Sequence, residues 1–216
     1  MKFSPGTIAA YEKAQEQSDK PLVKQYLNPT DIELNEEVEF ILLHEDPLEF
    51  WEIWSTDLST DRPRSFHFPV VGDEPPSDED IITELGGNFV RDKAKYEQKK
   101  RGIKVGDPRP ADLCFNWAVW NTKLETIQVL KISQWSLRQQ IMKNAGLKKY
   151  RNKMADFAHS IHKTQQQVIT YTYSIYDRDE DFDEGPMEKA WEEAKANGFS
   201  LEALMTNDDP FNPGGN

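Results

Sequence analysis

Residues 112–132 read DLCFNWAVWNTKLETIQVLKI, and how they are read decides the fold. In the first half Leu113, Phe115, Trp117 and Val119 alternate with Cys114, Asn116, Ala118 and Trp120. A period of two belongs to a strand, whose successive side chains point to opposite faces. NTKL supplies a turn and ETIQVLKI (125–132) a second strand, so the stretch predicts a hairpin. Trp117 then points with Phe115 into a core. Trp120 shares the opposite face with Asn116 and Ala118, where an indole is either an exposed stacking platform or packed beneath another part of the chain.

Working outward, EEVEFILL (36–43) sets Val38, Phe40 and Leu42 against Glu37, Glu39 and Ile41, again a strand. PLEFWEIW (47–54) and RSFHFPV (64–70) have strand character too. After the hairpin, Ser133 can cap a helix in which Leu137 and Ile141 share a face and Gly146 ends the run. ADFAHSIH (155–162) and QVITYTYSIY (167–176) follow as strands. Strand, hairpin, helix and two further strands match the order of the five-stranded Greek-key barrel, the OB-fold. The expectation is a mainly β chain with the helix between strands 3 and 4. A long polar insertion, about residues 55–109, would follow strand 1.

The expected organisation is an N-terminal helical arm (1–30, its helix near 7–17), the barrel domain (31–176) and an acidic C-terminal tail (177–216). In the tail, Pro186 can start a short helix bearing Met187, Trp191 and Ala194 on one side, with Gly198 as terminator. FSLEALM allows one more turn, and TNDDPFNPGGN has no pattern that asks it to fold.

Charge is strongly segregated within a net of −12. Residues 1–61 hold 4 Lys and Arg against 14 Asp and Glu, residues 62–163 hold 19 against 12, and residues 177–216 hold 3 against 12. A cationic middle between acidic ends points to a polyanionic ligand. The basic charge concentrates in RDKAKYEQKKRGIK (91–104) and in residues 131–163.

Several function classes are disfavoured. No apolar run approaches the roughly 20 residues of a membrane helix, and the start MKFSPGTIAAYEKAQEQ has no signal-peptide h-region. One cysteine, Cys114, excludes an intramolecular disulfide and suits a reducing compartment. There is no GxxxxGK[ST] phosphate loop and no GxGxxG after a strand. His159 and His162 sit three apart on a strand and face opposite ways. His67, Cys114 and one of these histidines make only a weak zinc candidate. A nuclease acid before Lys131 is missing, since position 129 is Val129. The expectation is a protein that is not an enzyme and uses no cofactor or metal.

The stretch PRPADLCFNWAVWNTKLETIQVLKISQWSLRQQI (108–141), with MADFAHSIHKT (154–164) and QQVITYTYSIYD (166–177), resembles the single-stranded DNA-binding proteins of tailed bacteriophages. The resemblance implies an OB-fold protein that coats single-stranded DNA during replication, recombination and repair in the cytoplasm of a bacterial host. Phosphates would then meet Arg62, Arg64, Lys93, Lys95, Lys99, Lys100, Arg101, Lys104 and Arg109. Candidate base-stacking residues are Trp51, Trp54, Phe66, Phe68, Trp120, Tyr171 and Tyr173; strand alternation makes about half of them core. NDDPFNPGGN is similar to the acidic tip of bacterial single-stranded DNA-binding proteins, so Asp208, Asp209, Pro210 and Phe211 would recruit replication, recombination or repair proteins. Five residues follow Phe211, unlike a tip that ends on its phenylalanine. Homo-oligomerisation is left open. The rival expectation is a protein-binding adaptor that does not touch DNA.

Overall fold

The hairpin at residues 112–132 is the centre of the sheet. β6 (Asp112–Asn121) and β7 (Thr126–Ile132) pair antiparallel, with Trp117 opposite Leu130 and Trp120 opposite Ile127. The computed structural model describes residues 25–97, 102–165 and 167–214. The expected helix near 7–17, together with Lys99, Lys100 and Arg101, lies outside the described residues.

The other strands are β1 (Tyr26–Leu27), β2 (Glu37–Leu42), β3 (Leu48–Asp57), β4 (Pro63–Pro69), β5 (Phe89–Arg91), β8 (Ala158–Gln165) and β9 (Ile169–Tyr176). Along the main path the order is β1-β7-β6-β2-β8-β9, with β3 branching from β6 and carrying β4 and β5 on its two sides. β1 runs parallel to β7 and the remaining pairs are antiparallel, which makes the sheet mixed. Among the described residues three α-helices accompany it: α1 (Asp78–Leu85), α2 (Trp135–Ala145) and α3 (Gly185–Ala196).

The chain is mainly β, yet its sheet has nine strands rather than five, and among the described residues no pair closes it into a barrel. Much of the difference comes from the expected insertion, whose described residues carry β4, β5 and the helix Asp78–Leu85. β3 runs on to Asp57, past the expected boundary, because Ser55 and Thr56 find partners on both sides: Arg64 and Pro63 in β4, Arg91 and Val90 in β5. Ser77 opens α1 with a capping box, its hydroxyl accepting from the Asp80 N–H at 3.1 Å. Ile81 and Leu85 of α1 then bury against Ile53 and Ala111.

Both sheet faces around β6 are dry. The inner face (Phe40, Phe115, Trp117, Leu130, Ile132) packs with Ile161 and with Leu137 and Ile141 of α2. α2 begins at Trp135, and Gln134 rather than Ser133 occupies its N-cap position without a side-chain cap. The Gly146 N–H closes it on the Met142 carbonyl at 3.1 Å.

The outer face is covered by the C-terminal segment. Met187 of α3 seals Ile41, Trp120 and Ile127, while Leu201 and Leu204 seal Phe50, Cys114 and Val129. Contrary to the reading of TNDDPFNPGGN as unfolded, its described residues, 206–214, are docked. The Ser200 N–H donates to the Pro210 carbonyl at 3.0 Å and the Asp208 N–H to Ala203 at 2.9 Å. The Phe211 ring meets Phe199 edge-on at 5.0 Å. An apolar sheet face supplies what the local pattern lacks, since burying each large side chain is worth about 1.5–3 kcal/mol. No helix among the described residues is long and apolar enough to cross a membrane.

Candidate nucleic-acid interface

The ribbon β4-β3-β5 gathers cations and aromatics that are dispersed in sequence. Alternation along β3 puts Trp51, Ile53 and Ser55 on one face and Phe50, Glu52 and Trp54 on the other. Register sets Phe68, Phe66 and Arg64 opposite Trp51, Ile53 and Ser55, so all six share the face that α1 partly covers. Arg64 is exposed, and its guanidinium carbon lies 5.3 Å from the Phe66 ring centre and 5.7 Å from that of Phe89. Phe66 and Phe89 meet edge to face at 5.0 Å. Cations within about 6 Å of ring centres interact with the ring quadrupole.

On the opposite face Arg109 lies 5.6 Å over the half-buried Trp54 and reaches Asp112 at 3.3 Å. Arg91, which the sequence reading did not single out, flanks Ser55 from β5. Its Nε donates to the Arg109 carbonyl at 2.9 Å, and its Nη1 bonds Asp78 at 2.6 Å. Arg62, Lys93, Lys95 and Lys104 are exposed, Lys93 bridging across to Pro108. Six of the nine expected phosphate contacts (Arg62, Arg64, Lys93, Lys95, Lys104, Arg109) thus belong to the ribbon and the loops that leave it.

Other expected contacts lie elsewhere. Trp120 is only 4% exposed, beneath Met187, with Trp191 and Ala194 packed against the same cluster, so of its two alternatives the covered one is realised. Tyr173 is also buried; its hydroxyl bonds His159 Nδ1 at 2.6 Å, and burial raises its pKa. Tyr171 packs against the inner core, and its carbonyl accepts from Gln140 at 3.0 Å. Trp120 and Tyr173 offer no free ring face to a base, while Tyr171 is half-buried. Trp51, Phe66 and Phe68 are half-buried. In the C-terminal tip Asp208 and Asp209 are exposed, Pro210 is buried and Phe211 half-buried.

A buried polar network lies between ribbon and C-terminal turn. Glu52 is 4% exposed and takes Lys131 Nζ at 2.6 Å, with His67 Nε2 at 3.5 Å. Burial would raise its carboxyl, but His67 and Lys131 overcome that and bring it down to about 2. Cys114 Sγ lies 3.8 Å from Glu52; burial and that charge push its thiol up to about 12, which removes it as a nucleophile. His67 Nδ1 holds the Leu204 carbonyl, tying the turn Leu201–Thr206 to β4. His67 and Cys114 thus meet around Glu52, but no group of metal-ligating side chains forms among the described residues.

His159 Nε2 bonds the Met154 carbonyl at 2.8 Å, so it carries the proton and Nδ1 accepts from Tyr173. Burial pulls its pKa down to about 4. Sequence patterning missed the Glu52 network because Glu52, Lys131 and His67 come from three different strands. It also missed Trp135, 64% exposed at the start of α2. The chain matches no protein-family model, and comparison with curated proteins and with solved structures finds no match either.

Proposed function

We propose that the protein binds single-stranded DNA without sequence preference, phosphates running along the ribbon β4-β3-β5 and bases stacking on its half-open aromatics. The observation that carries this reading is the pairing of cation and ring on both ribbon faces, Arg64 over Phe66 and Phe89 and Arg109 over Trp54. Stacking contributes about 1–3 kcal/mol per base and every base has a face to stack, which makes such binding sequence-tolerant. The strand order β7-β6-β2-β8-β9, with α2 between the third and fourth of these strands in sequence, supports the reading as an OB-type scaffold. In this reading the protein coats strands during phage DNA replication, recombination and repair inside a bacterial host. Its exposed Asp208 and Asp209 present the partner-recruiting tip.

One observation favours the rival adaptor reading. The outer face of β6 and β7, where an OB-fold binds oligonucleotides, is occupied by α3 and the turn after it. A gel shift with labelled single strand, duplex and RNA of matched length separates the two. Single-strand binding that falls with salt supports the coat; no shift with any nucleic acid leaves the adaptor.

A further inference from the structure

A groove of about 700 Å³ opens between the start of β3, the chain after β4, β6 and the last turn of α2. Its apolar lining includes Trp51, Phe115, Trp117 and Met142, the last of them 55% exposed. Glu45, Asp46, Glu49 and Asp73 also line it, while no Lys, Arg or His among the described residues does. Glu45 is fixed in the wall, accepting from the N–H groups of Met154 at 2.9 Å and Ala155 at 2.8 Å. Burial alone raises the Glu49 carboxyl. The carbonyl end of α2 adds a partial negative charge through Ile141, Met142 and Ala145. The Trp51 indole N–H is buried without a hydrogen-bond partner among the described residues.

Phosphates are repelled by such a groove, so it is not a continuation of the ribbon interface. Its chemistry asks for the reverse: apolar anchors with positive charge around them. We propose that this groove docks a basic, amphipathic segment of a partner protein. Leucine-like side chains would fill the floor beside Phe115 and Trp117. Lysine or arginine would meet Glu49, Asp46 and Asp73. A second copy of this chain, itself strongly acidic, is a poorer occupant. The inference is independent of whether the ribbon binds DNA.

The test uses the full chain and a fluorescein-labelled synthetic peptide of leucine and lysine in helical spacing, read by anisotropy. A peptide with glutamate in place of lysine is the control. Saturable binding of the lysine peptide alone is expected, weakened by about tenfold or more in Glu49→Lys/Asp73→Lys. Glu192→Lys/Glu193→Lys on α3 changes net charge equally and should leave the affinity within about twofold of the original. Met142→Glu, at an exposed position, should weaken the peptide without lowering the melting temperature. Equal loss in the α3 variant would reduce the effect to diffuse attraction and overturn the proposal. So would binding of the glutamate peptide, absence of saturable binding, or self-association that Glu49→Lys/Asp73→Lys abolishes. Oligonucleotide affinity measured on the same variants reports on the ribbon separately.

Discussion

The outer face of β6–β7 and the ribbon β4-β3-β5 carry the same kinds of residue and end in opposite states. On the outer face Trp120, Ile127, Phe50 and Val129 are sealed by the C-terminal segment. On the ribbon Trp54, Phe66 and Phe68 are only half-buried, and Arg64 and Arg109 lie over rings. An aromatic on a strand is therefore assigned by what covers it, not by its letter. The acidic segment covers the outer face, where Lys131 is paired with Glu52, and its last turn is tied to β4 through His67, while Arg64 stays exposed on the ribbon.

The largest expected effect breaks the outer face. Trp120→Ala removes an indole wedged between sheet and α3 and should destabilise the fold by about 3–5 kcal/mol, read by urea unfolding. The protein that remains folded should bind single-stranded DNA as before. A large loss of DNA affinity with unchanged unfolding would mean that α3 lifts off and Trp120 stacks.

Acid should loosen the inner core at His159 and the seam between ribbon and C-terminal turn at Glu52, in two steps. His159 has a folded pKa of about 4, below its ordinary 6.5, so its contribution is complete above pH 6.5 and is lost as pH falls through 4. Glu52 is held at about 2 against an ordinary 4.5, so its contribution is complete above 4.5 and is lost as pH falls through 2. Each shift corresponds to about 3 kcal/mol at most. His159→Gln should flatten the stability profile between pH 6.5 and 4, and Glu52→Gln the profile below 4.5. Unaltered profiles in chemical denaturation at stepped pH would refute both assignments.

On the ribbon the effect is smaller and falls on binding. Trp54→Ala should cost about 1–3 kcal/mol of single-strand affinity, with melting changed far less than by Trp120→Ala. Reversal of the two variants' effects would exchange the roles of the two regions.

How far this contrast is legible in sequence follows from where the partners lie. β6, β7 and β2 are evident from alternation, and α2 from Leu137 and Ile141, because each is a local period facing one core. α3 is signalled by Pro186 in its first turn. The cover over Trp120 is not legible: Met187 and Trp191 are far along the chain, and an amphipathic helix does not say which face it will seal. TNDDPFNPGGN looks unfolded for the same reason, its contacts being to Ala203, Ser200 and the Ser65 carbonyl that Asn207 bonds at 3.1 Å. The insertion looks like loop because β5 is three residues long and α1 eight, too short for a clear period. The basic ribbon was foreshadowed by charge alone; its pairing with rings required the register of β3 with β4.

The most direct test of the ribbon as a single-strand interface is the salt dependence of poly-dT binding in Arg64→Gln/Arg109→Gln beside the parent protein. Each lost phosphate contact lowers the slope of log K against log salt by about 0.7, so the double variant should be shallower by about 1.4 with an unchanged fold. An unchanged slope with affinity intact would contradict the account and move the interface off the ribbon.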